Sequence, residues 1–290
     1  MTGAMTAAFA KTADAYPGRA VPPALQRARG LARIAVRGDG GRSRITDLHQ
    51  AGSSRLRMPR TPPDAPVEAV LLNTAGGMTG GDRFRTEVSV GPGAEAIVTS
   101  QAAERIYRRS AGYAEVDAEL TVAGDGVLAW LPQETIVFDR SALSRRLEAE
   151  VAPEATLLAL ETVVLGRTAM GERLTDIALA DRWRIRRGGR LVFAETTRLE
   201  GDATTVMNGK ATGAGGIAFA TLVLVSPGAP DKVDALRAAL DDMPGEAGVS
   251  GFEGMMVARM IAGNGQMLRA MAIHAATAIR GRPMPRVWNL

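Results

Sequence analysis

Apolar and polar residues alternate with a period of two over most of this chain, the signature of strands with one buried face. The pattern begins at Leu31-Ala-Arg33-Ile-Ala-Val36 and is clearest where Val116, Ala118, Leu120 and Val122 interleave with Asp117, Glu119 and Thr121. Turn residues punctuate it at hairpin distances. Gly124-Asp125-Gly126 precedes Val127 to Trp130, and Gly188-Gly189 joins DRWRIRR to RLVFAETT. In that second pair Trp183 and Ile185 share a face, as do Leu191 and Phe193, with Arg182, Arg184 and Arg186 turned the other way. The runs TLLALETVVLG and GGIAFATLVLV do not alternate and read as strands buried on both sides.

Helical spacing appears only late in the chain. Val233, Leu236, Leu240 and Met243 recur at helical intervals behind Pro230. Leu268, Met271, Ala275 and Ile279 do the same, and Gly281 and Pro283 supply the stop. The fold class is therefore mainly β, a many-stranded body with helices near the C-terminus. Residues 1–24, rich in Ala and broken by Pro17, Pro22 and Pro23, read as a flexible arm. No later break in composition and no repeat of fixed period divides the rest, so 25–290 is expected to form a single domain.

Composition then removes whole classes of chemistry. With no cysteine, disulfides, thiolate metal sites and cysteine nucleophiles are excluded, and only two histidines, His49 and His274, are available. A metal would meet mostly oxygen ligands. No apolar run is long enough for a membrane span and no leader pattern opens the chain, so a cytoplasmic location and no membrane partner are expected. Residues 1–68 carry eleven Lys or Arg against five Asp or Glu, which suits an acidic partner. Aromatic residues make up only 4% of the chain and no recognition motif accompanies the arginines, so no nucleic-acid partner is expected.

The stretch NTAGGMTGGDRF at 73–84 invites a phosphate-binding reading, and its chemistry refuses it. A P-loop needs Gly-Lys-Ser/Thr leading into a helix; here Asp82 stands where the lysine belongs and the strand-like FRTEVSV follows. No GxGxxG dinucleotide fingerprint and no GxSxG elbow occurs, and two histidines make a catalytic triad improbable. Glu134 and Asp139 could imitate a glycosidase pair, but extended backbone would send them to opposite faces. The glycines are left as a tight crossing between strands, with Asp82 turned to a polar interior.

Five segments occur in order: NTAGGMTGGD at 73–82, TSQAAERIYR at 99–108, WLPQETIVF at 130–138, ETVVLGRTAMGE at 161–172 and RPMPRVWNL at 282–290. Together they resemble one family, the urease accessory proteins of the D type, called H in some systems. The resemblance implies a layered, superhelical β fold with C-terminal helices, and a maturation factor rather than an enzyme. It implies partnership with the urease apoprotein, an F-type accessory protein and a G-type GTPase, which together insert nickel into urease. It also implies nickel in transit through an internal polar passage, with no cofactor bound tightly.

That role suits the composition, because scattered carboxylates and carbonyls hold nickel weakly and a conduit must let its ion go. The acids inside the matching blocks, Asp82, Glu134, Glu161 and Glu172, are the candidate nickel-path residues, and Thr99, Gln101 and Tyr107 could supply neutral oxygens beside them. The competing expectation is that each acid pairs with an arginine such as Arg105, Arg140 or Arg167 and fixes loop geometry. The protein would then be a purely structural scaffold. Of the histidines, His274 falls within the terminal helix and neither is expected to ligate a metal.

Overall fold

A computed structural model describes residues 26–167 and 170–289. The N-terminal arm at 1–24 lies outside them. Two sheets face each other. The first comprises β1 (Arg29–Asp39), β2 (Arg42–Gly52), β5 (Arg83–Val90), β8 (Ala114–Val122), β11 (Ala142–Val151), β13 (Ile177–Arg187) and β14 (Arg190–Gly201), in the order β14-β13-β11-β8-β5-β1-β2. The second comprises β3 (Ser54–Arg57), β4 (Val67–Asn73), β6 (Glu95–Ser100), β9 (Val127–Leu131), β12 (Thr156–Leu165), β15 (Ala218–Val225), β16 (Glu246–Phe252) and β17 (Met255–Ala262), in the order β16-β17-β15-β12-β9-β6-β4-β3. Short β7 (Glu104–Ile106) and β10 (Thr135–Val137) pair with each other, and β10 continues onto the far half of β12.

The chain crosses from one sheet to the other after nearly every strand. Strands β5, β8, β11 and β13 therefore stack in parallel in the first sheet, and β4, β6, β9 and β12 in the second. Each circuit adds a strand to both sheets, giving stacked solenoid-like coils in which a coil buries its inner face only against its neighbours. Antiparallel strands close the ends: β2 and β14 flank the first sheet, and β15, β17 and β16 extend the second.

This topology corrects one sequence expectation. Gly124-Asp125-Gly126 is a corner between sheets, not a hairpin, since β8 and β9 never pair. The Asp125 carboxylate accepts the Gly93 N–H of the adjoining coil at 2.7 Å, so one corner is fastened on the next. Turn chemistry states that the chain reverses; which strand it then pairs with is decided by the stack. The Gly188-Gly189 hairpin does form, and Trp183, Ile185 and Phe193 are buried behind exposed Arg182 and Arg184. Leu191, however, does not share the buried face of Phe193. A bulge between Ile185 and Arg186 sets it opposite Arg186 and leaves it 42% exposed.

The double burial of β12 and β15 has a structural cause. On the outer face of the second sheet lie α2 (Val233–Asp241) and α3 (Gly265–Arg280), while a short α1 (Ala203–Met207) follows β14. From α3, Leu268, Met271, Ala275 and Ile279 pack against Leu158, Leu160, Leu222 and Leu224 of the sheet. The helix is delimited as its sequence predicts: Asn264 caps the Met267 N–H at 2.8 Å, and Gly281 ends it at a φ of 63°. Among the described residues no helix is long and apolar enough to cross a membrane.

Candidate functional site

Inside the sandwich the apolar core is interrupted by one charged layer. Along β11 the inward positions are Leu143, Arg145 and Leu147; along β13 they are Leu179, Asp181 and Trp183; along β12 they are Ala159, Glu161 and Val163. In each strand the charged residue separates a member of one apolar cluster from a member of another, Leu143, Leu179 and Val163 on one side and Leu147, Trp183 and Ala159 on the other. Arg145 and Asp181 are direct partners across β11 and β13, and Glu161 reaches them from the opposite sheet.

The layer is tightly bonded. Arg145 grips Asp181 through two parallel bonds, Nε to Oδ1 at 3.1 Å and Nη2 to Oδ2 at 2.6 Å. Its remaining Nη1 donates to Glu161 Oε2 and, at 3.2 Å, to Thr135 Oγ1. The second Glu161 oxygen accepts the Trp130 indole N–H at 2.8 Å. Burial lifts Glu161 above the ordinary carboxylate range, against the pull of Arg145 and with a further push from Asp181. Arg145 is held cationic: burial opposes its charge, and the two carboxylates outweigh that.

A cavity of about 260 Å³ descends to this layer. Its inner wall includes Trp130, Thr135, Arg145 and Glu161, and its mouth includes Gln101, Glu104 and the Gly76–Gly77 turn. Glu104 is a half-buried carboxylate with no ion pair among the described residues. The Asn73 amide donates to both its oxygens at 3.2 and 3.1 Å, and burial raises its pKa despite that bond. A second hollow of about 420 Å³ lies beside β14 and β17, but Arg259 and Thr221 both bond to Glu195 there, satisfying its polar groups among themselves.

The seven candidate residues are distributed unevenly around this cavity. Glu161 lies at its inner end and Gln101 at its mouth. Thr99 is fully buried behind the wall, where its hydroxyl accepts the Trp288 indole N–H at 3.0 Å. Tyr107, 39% exposed, stacks edge-on against Phe138 and covers Gly77, whose φ of 135° and lack of a side chain permit that approach. Asp82 clamps the glycine crossing, accepting the Ala28 and Thr79 N–H groups at 2.8 Å each. Glu134 holds Arg269 of α3 at 2.8 Å, and that arginine also donates to the Trp288 carbonyl and stacks on its ring. Glu172 pairs with Arg167 at 2.9 Å. Asp82, Thr99, Tyr107, Glu134 and Glu172 are not among the residues lining the cavity. Both histidines, His49 and His274, face solvent.

Three residues of the site escaped the sequence reading, and two left a signal. Arg145 and Asp181 occupy inward positions of alternating strands, where an unpaired charge is costly, so their parity alone predicts that they meet a partner inside. Glu104 lay within TSQAAERIYR without being distinguished from its neighbours.

Away from the cavity lining, Asp139 and Glu172 fasten the turn after β10 to Arg167 and Thr175 through backbone amides. Asp139 accepts from the Thr175 N–H at 2.7 Å, and Glu172 from the Asp139 and Arg167 N–H groups at 3.1 and 2.9 Å. Burial opposes both charges, yet these bonds, led for Glu172 by the Arg167 guanidinium, hold both pKa values below the ordinary range. A lowered folded pKa gives stabilisation that is complete above the unfolded pKa and lost as pH falls through the folded value. Amide exchange at Asp139, Arg167 and Thr175, corrected for its intrinsic rate, should lose protection as pH falls below about 4, while β12 stays protected. Unchanged protection at those amides would refute the assignment.

Residues 28–289 match the sequence profile described as UreD urease accessory protein. Over 273 residues the chain is 46% identical to urease accessory protein UreD 2 of Methylorubrum populi, covering 92% of each chain. It is 45% identical over 271 residues to urease accessory protein UreD of Mesorhizobium japonicum, covering 93% of this chain and 96% of that one. With UreD of Rhodopseudomonas palustris the identity is 44% over 265 residues, or 91% and 94% of the two chains.

Proposed function

The chain belongs to the UreD urease accessory protein family and so has a role in urease maturation; within that role we propose that it works without catalysis, passing nickel through the cavity that ends at Glu161. It does so in a complex with the urease apoprotein, an F-type accessory protein and a G-type GTPase, in the cytoplasm. The observation that carries this reading is the cavity itself, which joins an unpaired carboxylate at the mouth, Glu104, to a buried carboxylate at the inner end. Nickel in transit needs oxygen donors that hold it weakly. No thiol is present, and among the described residues no group of three His, Cys, Asp or Glu is placed to trap an ion.

Asp82, Glu134 and Glu172 favour the alternative of a purely structural scaffold, because each is engaged by backbone amides or an arginine. Reconstituted activation of apo-urease with nickel, bicarbonate, GTP and the other accessory proteins separates the two. Glu161→Gln is expected to assemble normally and to cut activation at least about tenfold, since the amide keeps the shape and loses the charge a cation needs. Full activation by an assembled Glu161→Gln complex would leave the scaffold reading.

A further inference from the structure

The charged layer contains two carboxylates and one guanidinium, and the guanidinium is bonded unequally to them. Asp181 holds Arg145 by a two-point fork, whereas Glu161 receives one bond, from an Nη1 that also donates to the Thr135 hydroxyl. All three charged side chains are less than 10% exposed, so each charge relies chiefly on its bonded partners. Arg145 can therefore release Glu161 and stay paired with Asp181. Glu161, once released, still keeps the Trp130 N–H on its other oxygen, which fixes the carboxylate in place. Of the pair Glu161 and Asp181, only Glu161 lines the cavity.

We propose that Arg145 is a detachable counter-cation: it yields Glu161 to an arriving divalent cation, remains anchored on Asp181, and then displaces the cation by reclaiming Glu161. This inference rests on the nickel-passage reading and adds to it a reason for departure. A bare buried carboxylate would keep a divalent ion, because attraction at short range is strong where water is excluded. An arginine tethered one bond away supplies the competing charge at a fixed effective concentration. Arg145 thus acts as a positioning residue, tuning a site it does not itself ligate.

The test measures equilibrium Ni²⁺ binding by the purified full chain, alongside urease activation, for Arg145→Met, Arg145→Met/Glu161→Gln and Asp181→Asn. Removing the competitor should tighten Ni²⁺ binding at least about tenfold and still lower activation, and the gain should vanish in the double variant. Asp181→Asn keeps the shape, weakens the anchor and leaves Arg145 and Glu161 matched one to one, so it should bind Ni²⁺ at least about threefold more weakly than the parent. A folded Arg145→Met that binds no tighter, or a double variant that keeps the gain, overturns the proposal. If Arg145→Met does not fold, Asp181→Asn decides: affinity equal to or above that of the parent overturns it. Failure of the passage reading is separate and shows as full activation by Glu161→Gln. The changes in affinity would then describe a cation site without a part in maturation.

Discussion

Trp288→Ala is expected to lower the unfolding free energy by about 4 kcal/mol, in the range for truncating a buried aromatic side chain. Trp288 is 2% exposed and belongs to the cluster between the second sheet and the helices. Its indole N–H is shared between the Thr99 hydroxyl at 3.0 Å and the Leu131 carbonyl at 3.3 Å, and its ring carries the Arg269 guanidinium 4.8 Å from the centroid. Truncation removes the apolar contacts and the indole N–H bond, and it weakens the support of the Glu134–Arg269 pair by taking away the ring on which Arg269 stacks. The neighbouring Gln133 side chain ties the Val287 carbonyl to the Ser100 and Gln101 carbonyls at the cavity mouth, so the loss should spread to that rim. Urea unfolding of the two proteins measures it. A loss below about 1.5 kcal/mol would mean that the C-terminal segment merely rests on the sheet and relaxes at little cost.

Arg145→Ala comes close behind, with an expected loss of about 3–5 kcal/mol near neutral pH, since removing one side of a buried ion cluster leaves the rest uncompensated. Here two carboxylates would be stranded, Glu161 and Asp181, each under 10% exposed. Glu161 already titrates above the ordinary range even with Arg145 beside it. A carboxylate whose folded pKa is raised contributes stability below the unfolded pKa and loses it as pH rises through the folded value. The deficit of Arg145→Ala should therefore be larger at about pH 8 than at about pH 5, where the stranded carboxylates can take up protons. Chemical denaturation at the two pH values provides the check, and a deficit independent of pH would show that lost packing, not stranded charge, is what Arg145 prevents.

The pair of predictions separates two kinds of order in this molecule. Trp288 reports on the seam between helices and second sheet, an apolar junction with a few polar pins. Arg145 reports on a polar layer set between two apolar clusters, where the same burial that makes the charges costly also makes them available to a cation. Family membership accounts for the maturation role; the chemistry proposed for it depends on the second kind of order.

Much of the architecture was legible along the chain because it is local. Period two at Val116–Val122 and at Trp183 and Ile185 reports which residues face inward whatever the strands pair with, and β8 and β13 follow it. The unbroken apolar run of β12 reports burial on both sides, and α3 ends where Gly281 takes a left-handed φ. The refusal of a phosphate by the 73–84 glycines was also a local matter, since Asp82 sits within the turn it clamps. The four candidate acids were marked alike, each in or beside an apolar stretch, and that mark did not distinguish Glu161, which lines the cavity, from Asp82, Glu134 and Glu172, which do not.

What the sequence could not determine were relations between distant positions. The glycines at 124–126 announce a turn, yet the next strand joins the other sheet because the stack of parallel coils offers it an edge there. One inserted residue, the bulge after Ile185, turned Leu191 outward, and a bulge has no periodic signature. Glu134 and Arg269 are 135 positions apart, Thr99 and Trp288 189, so no spacing rule could pair them. The charged layer is the clearest case. Arg145, Glu161 and Asp181 each occupy an inward position by local parity, but only the closing of two sheets brings the three together, and only burial makes their unequal bonding matter.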